Sequence, residues 1–153
     1  LLLIALSGGT AAERLAIADR LVESGKGQLV AFAQETPKSA YGESRARILR
    51  EALVGLEPQD SEPAIVGGVV VVHCLTEEEA EQVRKLGGSV WHVYGKPSGL
   101  VVNRIGDLMV TDASVGFRHV REPMEALSEA LLERLASPGG AMARAALGRL
   151  ANE

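Results

Sequence analysis

The stretch Leu2–Leu21, LLIALSGGTAAERLAIADRL, limits the possible folds more than any other part of the chain. Leu1–Leu6 is continuously apolar, the pattern of a strand covered on both faces of a parallel sheet. Small residues follow at Ser7-Gly8-Gly9-Thr10. From Ala11 to Ser24, Leu15, Ala18, Leu21 and Val22 recur at helical spacing, with Gly25 as a stop signal. A buried strand that feeds an amphipathic helix through a tight turn is the opening of a βαβ unit.

The rest of the chain repeats that alternation. Gln28–Ala33 reads as a second apolar strand. Ser39–Tyr41 leads into a helical stretch through Leu56, with Ile48, Leu49, Ala52 and Leu53 as its apolar side. Glu57–Gly68, EPQDSEPAIVGG, is a Pro/Gly-rich loop. Val69–Cys74 is the most apolar strand and is expected at the centre of the sheet. Thr76–Leu86 is a helix ended by Gly87-Gly88, and Ser89–Tyr94 is a strand. Gly95–Gly106 looks irregular, Asp107–Thr111 forms a short strand, and Arg121–Leu135 forms a helix. After a break at Ser137–Gly140, a small helix over Ala141–Ala151 carries Met142, Ala146 and Leu150 on one side. The expectation is a three-layer α/β/α fold with a mostly parallel sheet, one domain over residues 1–153, of which 136–153 is a C-terminal helical extension.

Composition narrows the function classes. A net charge of -4 gives no electrostatic footprint for nucleic acid, and 3% aromatics leave no stacking platform for single strands. No apolar run reaches transmembrane length, so no membrane association is expected. The single cysteine, Cys74, excludes an internal disulfide framework and fits a reducing cytoplasm.

The turn after the first strand is where an α/β protein holds a phosphate. A phosphate loop follows G-x-x-x-x-G-K-[ST]: glycines let backbone N–H groups wrap the phosphates, Lys adds charge, and a hydroxyl holds magnesium. Counting from Gly8, those last three positions hold Glu13, Arg14 and Leu15. Thr10-Ala-Ala-Glu13 instead fits a capping box, in which Thr10 and Glu13 take the backbone donors that a phosphate would need. A nucleotide beside Glu13 would also meet repulsion of roughly 4 kcal/mol per unit charge pair at about 4 Å and surface-like dielectric. Self-capping is the favoured reading. The alternative is a weak residual phosphate site built from Ser7, Gly8, Gly9, Thr10 and Arg14.

Thr76-Glu77-Glu78-Glu79 repeats the T-x-x-E pattern, so Glu79 reads first as a second cap. His73 and Cys74 adjoin at the end of a central strand, but neighbours on a strand point to opposite faces and cannot easily share a metal. A buried thiol and a hydrogen-bonded histidine are expected there, and His92 and His119 lack ligand spacing. Glu43, Arg45, Arg47, Arg50 and Glu51 read as a solvated mixed-charge helix face. Arg118, His119 and Arg121 cluster before the last long helix as a possible anion contact. No serine sits in a nucleophile-elbow pattern, and neither a catalytic set nor a metal site can be argued.

Four segments together resemble the phage-type deoxynucleoside monophosphate kinases of the P-loop kinase superfamily. The first is IALSG, Ile4–Gly8, with LAIADRL, Leu15–Leu21. The second is VAFA, Val30–Ala33, with Lys38 following. The third, VVVVHCLTEEEAEQVRKLGGSVWHV over Val69–Val93, is similar to a family segment with Asp-x-Arg at a strand end, a Glu on the next helix and Gly-Gly before another strand. The fourth is DLMVTDASV, Asp107–Val115. The resemblance implies a P-loop nucleotide-kinase-like scaffold and makes Lys38, Arg45, Arg50, Glu79 and Arg118 candidate nucleotide-binding residues. Departures fall on the chemical positions. His73, Cys74 and Leu75 stand at Asp-x-Arg, Gln34 stands at an aspartate position, and Asp112-Ala113 replaces Asn-Asp. The resemblance with these losses implies a non-catalytic relative with no cofactor, acting through protein contacts in the host cytoplasm or a virion: self-association, or a phage or host partner. The alternative is a deoxynucleoside monophosphate kinase or nucleotide sensor using ATP and magnesium through a non-standard phosphate site.

Overall fold

The computed structural model describes residues 1–34, 42–56, 66–95, 98, 100–111 and 120–136. In chain order the strands are β1 (Leu2–Ser7), β2 (Leu29–Phe32), β3 (Gly68–Val71), β4 (Ser89–Val93), β5 (Leu108–Val110) and β6 (Val120–Arg121). The helices are α1 (Ala11–Glu23), α2 (Gly42–Leu56), α3 (Glu77–Lys85) and α4 (Pro123–Ala136), and a 3-10 turn at Lys26–Gln28 precedes β2. All six strands are parallel, in the order β2-β3-β1-β4-β5-β6. The α/β class with a parallel sheet is therefore as the sequence pattern implied.

The topology decides which side of the sheet each helix covers. Parallel crossovers are right-handed. The connection from β1 runs one way to β2, whereas those from β2 to β3 and from β3 to β4 run the other way. So α1 covers one face and α2 with α3 covers the opposite one, giving three layers. Side-chain alternation along the strands follows this division. Ile4 and Leu6, with Val70, Val72, Trp91 and Val93, pack on Ile17, Ala18 and Leu21 of α1 and on Ala126 and Leu127 of α4. Leu3 and Ala5, with Val69, Val71 and Val90, pack on Leu49 and Leu53 of α2 and on Ala80 and Val83 of α3. β1 is buried from Leu3 to Ser7 because helices cover both its faces.

Several expectations change in detail. Leu15 of α1 is 46% exposed, and Arg14 and Ile17 are buried instead, because α1 is turned to bring the Arg14 guanidinium back over the β1–α1 turn. On α2, Ile48 is exposed and Arg45 is buried at 4% exposure, so Arg45 does not belong to a solvated face. Arg121 lies in β6 rather than in the last helix, which starts at Pro123. Pro suits a first helical position because its missing N–H has no partner to lose there. The Glu122 carboxylate caps that helix, accepting from the N–H groups of Met124 and Glu125. The proposed helix over 141–151 and the break before it lie outside the described residues. Among the described residues no helix is long and apolar enough to cross a membrane.

The connection from β4 to β5 has no helix among its described residues, and an ionic strap fixes it to α3. Glu77 Oε2 accepts from the Val102 N–H at 2.8 Å, while Glu77 Oε1 takes Arg104 Nη2 at 2.9 Å and Arg84 Nη1 at 3.1 Å. Arg84 Nη2 also donates to Asp107 Oδ2 at 2.7 Å and to the Val102 carbonyl at 3.1 Å. His92 Nε2 lies 2.8 Å from the same Asp107 oxygen, which also accepts from the Arg104 N–H. Between these anchors Val101 enters the α2–α3 core. Burial opposes the charge on Asp107, but the Arg84 guanidinium, His92 and the Arg104 N–H hold its carboxyl below the ordinary aspartate value.

A lowered folded pKa means that Asp107 stabilises the fold above its unfolded pKa of about 4 and loses that contribution as pH falls through the folded value. Asp107→Asn should cost about 2 kcal/mol at neutral pH, typical of a lost hydrogen bond to a charged group. In denaturant titrations the gap to wild type should close below about pH 4. A gap that persists unchanged into acid would contradict this assignment.

Candidate functional site

Ligand sites of open parallel sheets lie at the C-terminal ends of the strands, and here that edge holds a group of polar side chains between β1 and β3. β1 ends at Ser7, and Gly8, Gly9 and Thr10 make the whole connection to α1. Gly8 and Gly9 both have positive φ, 73° and 60°. A Cβ on Gly9 would come within 2.8 Å of Val93 Cγ1, so the turn is pressed onto the end of β4. The helix therefore begins before the position of Glu13, and the turn is too short to form the wide cradle of a phosphate loop.

The capping box expected from the sequence is present. Thr10 Oγ1 accepts from the Glu13 N–H at 3.1 Å, and Glu13 Oε1 accepts from the Thr10 N–H at 3.0 Å. Arg14 closes the other side of the turn. Its Nη1 donates to the carbonyls of Gly8 at 2.7 Å and Gly9 at 3.3 Å, and its Nε donates to His73 Nδ1 at 3.1 Å. That last bond requires a neutral imidazole with its proton on Nε2. Burial, with the charges of Arg14 and Arg45 added, lowers the His73 pKa and so favours the neutral form. Burial also lowers the Arg14 pKa, against the pull of Cys74 and Glu13.

A second guanidinium reaches His73 from α2. Arg45 Nη2 donates to the His73 carbonyl at 3.0 Å, and Arg45 Nε donates to Glu79 Oε1 at 2.6 Å. The Arg45 and Glu79 side chains are 5% and 0% exposed, so this ion pair joins α2 to α3 inside the protein. Glu79 Oε1 also accepts from the Thr76 hydroxyl at 3.0 Å. Thr76 caps α3 through its hydroxyl, which accepts from the Glu79 N–H. Glu79 Oε1 makes no reciprocal cap with the Thr76 N–H but accepts from the Leu75 N–H at 3.4 Å beside its shorter bond to Arg45. Two buried oxygens, Ser7 Oγ and Glu79 Oε2, have no hydrogen-bond partner.

The structure thus brings Ser7, Gly8, Gly9, Thr10 and Arg14 together, and sets Arg45 and Glu79 beside them through His73. Arg50 is exposed on the outer side of α2, away from this group. Lys38 and Arg118 lie outside the described residues. His73 is the participant that sequence spacing did not single out as the joint between two arginines. Its only signal was its position at the end of the most apolar strand. Chemically the cluster holds cations bonded to acceptors within the chain, with Ser7 Oγ and Glu79 Oε2 left over. Cys74 is fully buried, and burial with the Glu79 charge pushes its thiol up to about 12, so it is no nucleophile. Among the described residues no group of three or more His, Cys, Asp or Glu side chains is arranged to hold a metal. No protein-family model, no curated protein and no solved structure matches the chain.

Removing one member of a buried ion pair strands the other. Glu79→Ala should destabilise the protein by about 3–5 kcal/mol and Glu79→Gln by less, as measured by urea unfolding. Equal, small effects of both would show that the pair is not buried. The Cys74 thiol should resist a disulfide reagent at pH 8 in the folded protein and react only after denaturation. Stoichiometric reaction without unfolding would contradict its burial.

Proposed function

We propose that this chain is a non-catalytic member of the P-loop nucleotide-kinase-like proteins, related to the phage-type deoxynucleoside monophosphate kinases and acting through protein contacts, in a virion or on a host protein. One observation carries the reading: the Arg14 Nη1 and Nε donors and the Thr10 and Glu13 N–H groups, which a phosphate would use, are engaged within the chain. Arg14 is bonded to the Gly8 and Gly9 carbonyls, and the Thr10 N–H is bonded to Glu13. A working phosphate loop does the reverse, turning N–H groups and its cation outward to the ligand. The strand–turn–helix order at the start of a parallel sheet supports the scaffold, and the replacement of Asp-x-Arg by His73, Cys74 and Leu75 supports the loss of chemistry.

The test is binding and turnover with ATP, magnesium and each deoxynucleoside monophosphate. Calorimetry and thermal shift should show no stabilisation at millimolar nucleotide, and no phosphoryl transfer should be detected. Stabilisation abolished by Arg14→Ala, or transfer lost in that variant, would instead establish the nucleotide sensor or kinase with a non-standard phosphate site.

A further inference from the structure

The outer groove between α2 and α3 carries charges that the described structure does not pair. Both helices run back across parallel strands, so they lie parallel to each other with their N-termini at the same end. The groove encloses about 210 Å³ and is lined by Glu43, Arg47 and Arg50 from α2 and by Glu78, Glu81 and Lys85 from α3. On each helix an acid and a base stand seven residues apart on one stripe: Glu43 with Arg50, and Glu78 with Lys85. Seven residues span about 10 Å of helix, too far for a pair within the helix. Among the described residues these four side chains make no ion pair or side-chain hydrogen bond. Both acids lie at one end of the groove and both bases at the other.

This arrangement is self-complementary in one orientation. A two-fold axis in the plane of the face and perpendicular to the helices lays α2 on α2 and α3 on α3 with their directions reversed. Glu43 then meets the second copy's Arg50, and Glu78 its Lys85, each contact occurring twice, as a two-fold interface requires. Arg47 and Glu81, midway along the stripes, fall near the axis, each opposite its own counterpart in the second copy and diagonal to the other's opposite charge, and Glu81 also pairs with Arg104 of its own chain at 3.7 Å. A two-fold axis along the helices would instead set Glu43 against Glu78 and Arg50 against Lys85, which charge repulsion disfavours. Val54, 64% exposed, continues the α2 stripe beyond Arg50 and adds apolar contact at the rim.

We propose that this groove is the interface of a symmetric, antiparallel dimer, and that its occupant is a second copy of this chain. The inference does not rest on the nucleotide reading, since none of these residues takes part in the β1–α1 turn.

The test is sedimentation or light scattering of the full chain and of two half-reversed variants, each checked for folding by circular dichroism. Wild type should show twice the monomer mass and shift toward monomer as salt is raised. Arg50→Glu with Lys85→Glu should be monomeric, and so should Glu43→Arg with Glu78→Lys. Mixing these two variants should restore the dimer mass, because each then presents the charge that the other lacks. A monomeric wild type at high micromolar concentration would overturn the proposal. So would a dimer indifferent to both reversals, or folded variants that fail to combine.

Discussion

The β1–α1 turn depends on the Arg14 guanidinium. Two consecutive glycines in left-handed conformation turn their carbonyls inward over the sheet edge, where an acceptor without a donor is costly. Arg14 supplies those donors from the first turns of α1, and it is buried because it does so. The same side chain needs a further acceptor for its Nε, and neutral His73 at the end of β3 provides it. One residue thus fixes the turn, the rotation of α1 and the exit of the chain from β3. The exposure of Leu15 follows from that rotation.

Charge is distributed by layer. On the face covered by α2 and α3, the Arg45–Glu79 pair ties the two helices to the strand ends, and the Glu77–Arg84–Asp107 strap holds the β4–β5 connection. These are charges out of or partly out of water, and each has more than one partner, which is what makes burial tolerable. Described exposed charges such as Arg47 and Arg50 lie outside these networks.

What the sequence revealed divides by distance along the chain. Thr10 and Glu13 are three residues apart, and their mutual capping was readable as a local pattern. The identical spacing at Thr76 and Glu79 told only part of the story for the glutamate, because the oxygen that accepts from the Leu75 N–H at 3.4 Å is also held, more closely, by a guanidinium 34 positions earlier. Arg45 itself sits among Glu43, Arg47 and Glu51, and no local property separates it from them. Only the placement of α2 over His73 and α3 does. The parallel sheet was legible from runs such as Val69–Val72, buried on both faces. β6 was not, since two residues carry no period and its existence depends on pairing with β5.

The energetic argument at the turn can be taken one step further. For a phosphate to take the Nη1 and Nε donors of Arg14, the guanidinium must leave the Gly8 carbonyl, the Gly9 carbonyl and His73 Nδ1. A fully buried acceptor left without a donor costs about 1–3 kcal/mol, and with the Gly8 carbonyl buried and the other two part-buried, releasing all three costs on the order of 4 kcal/mol. A phosphate ligand whose contacts would give micromolar affinity, about 8 kcal/mol, in an open loop is then left with about 4 kcal/mol, or millimolar binding. Repulsion from Glu13 lowers it further. An anion would recover those two donors only if the turn were rebuilt so that its carbonyls no longer faced inward. Replacing Arg14 by a lysine alone would leave the same acceptors in place with fewer donors to satisfy them.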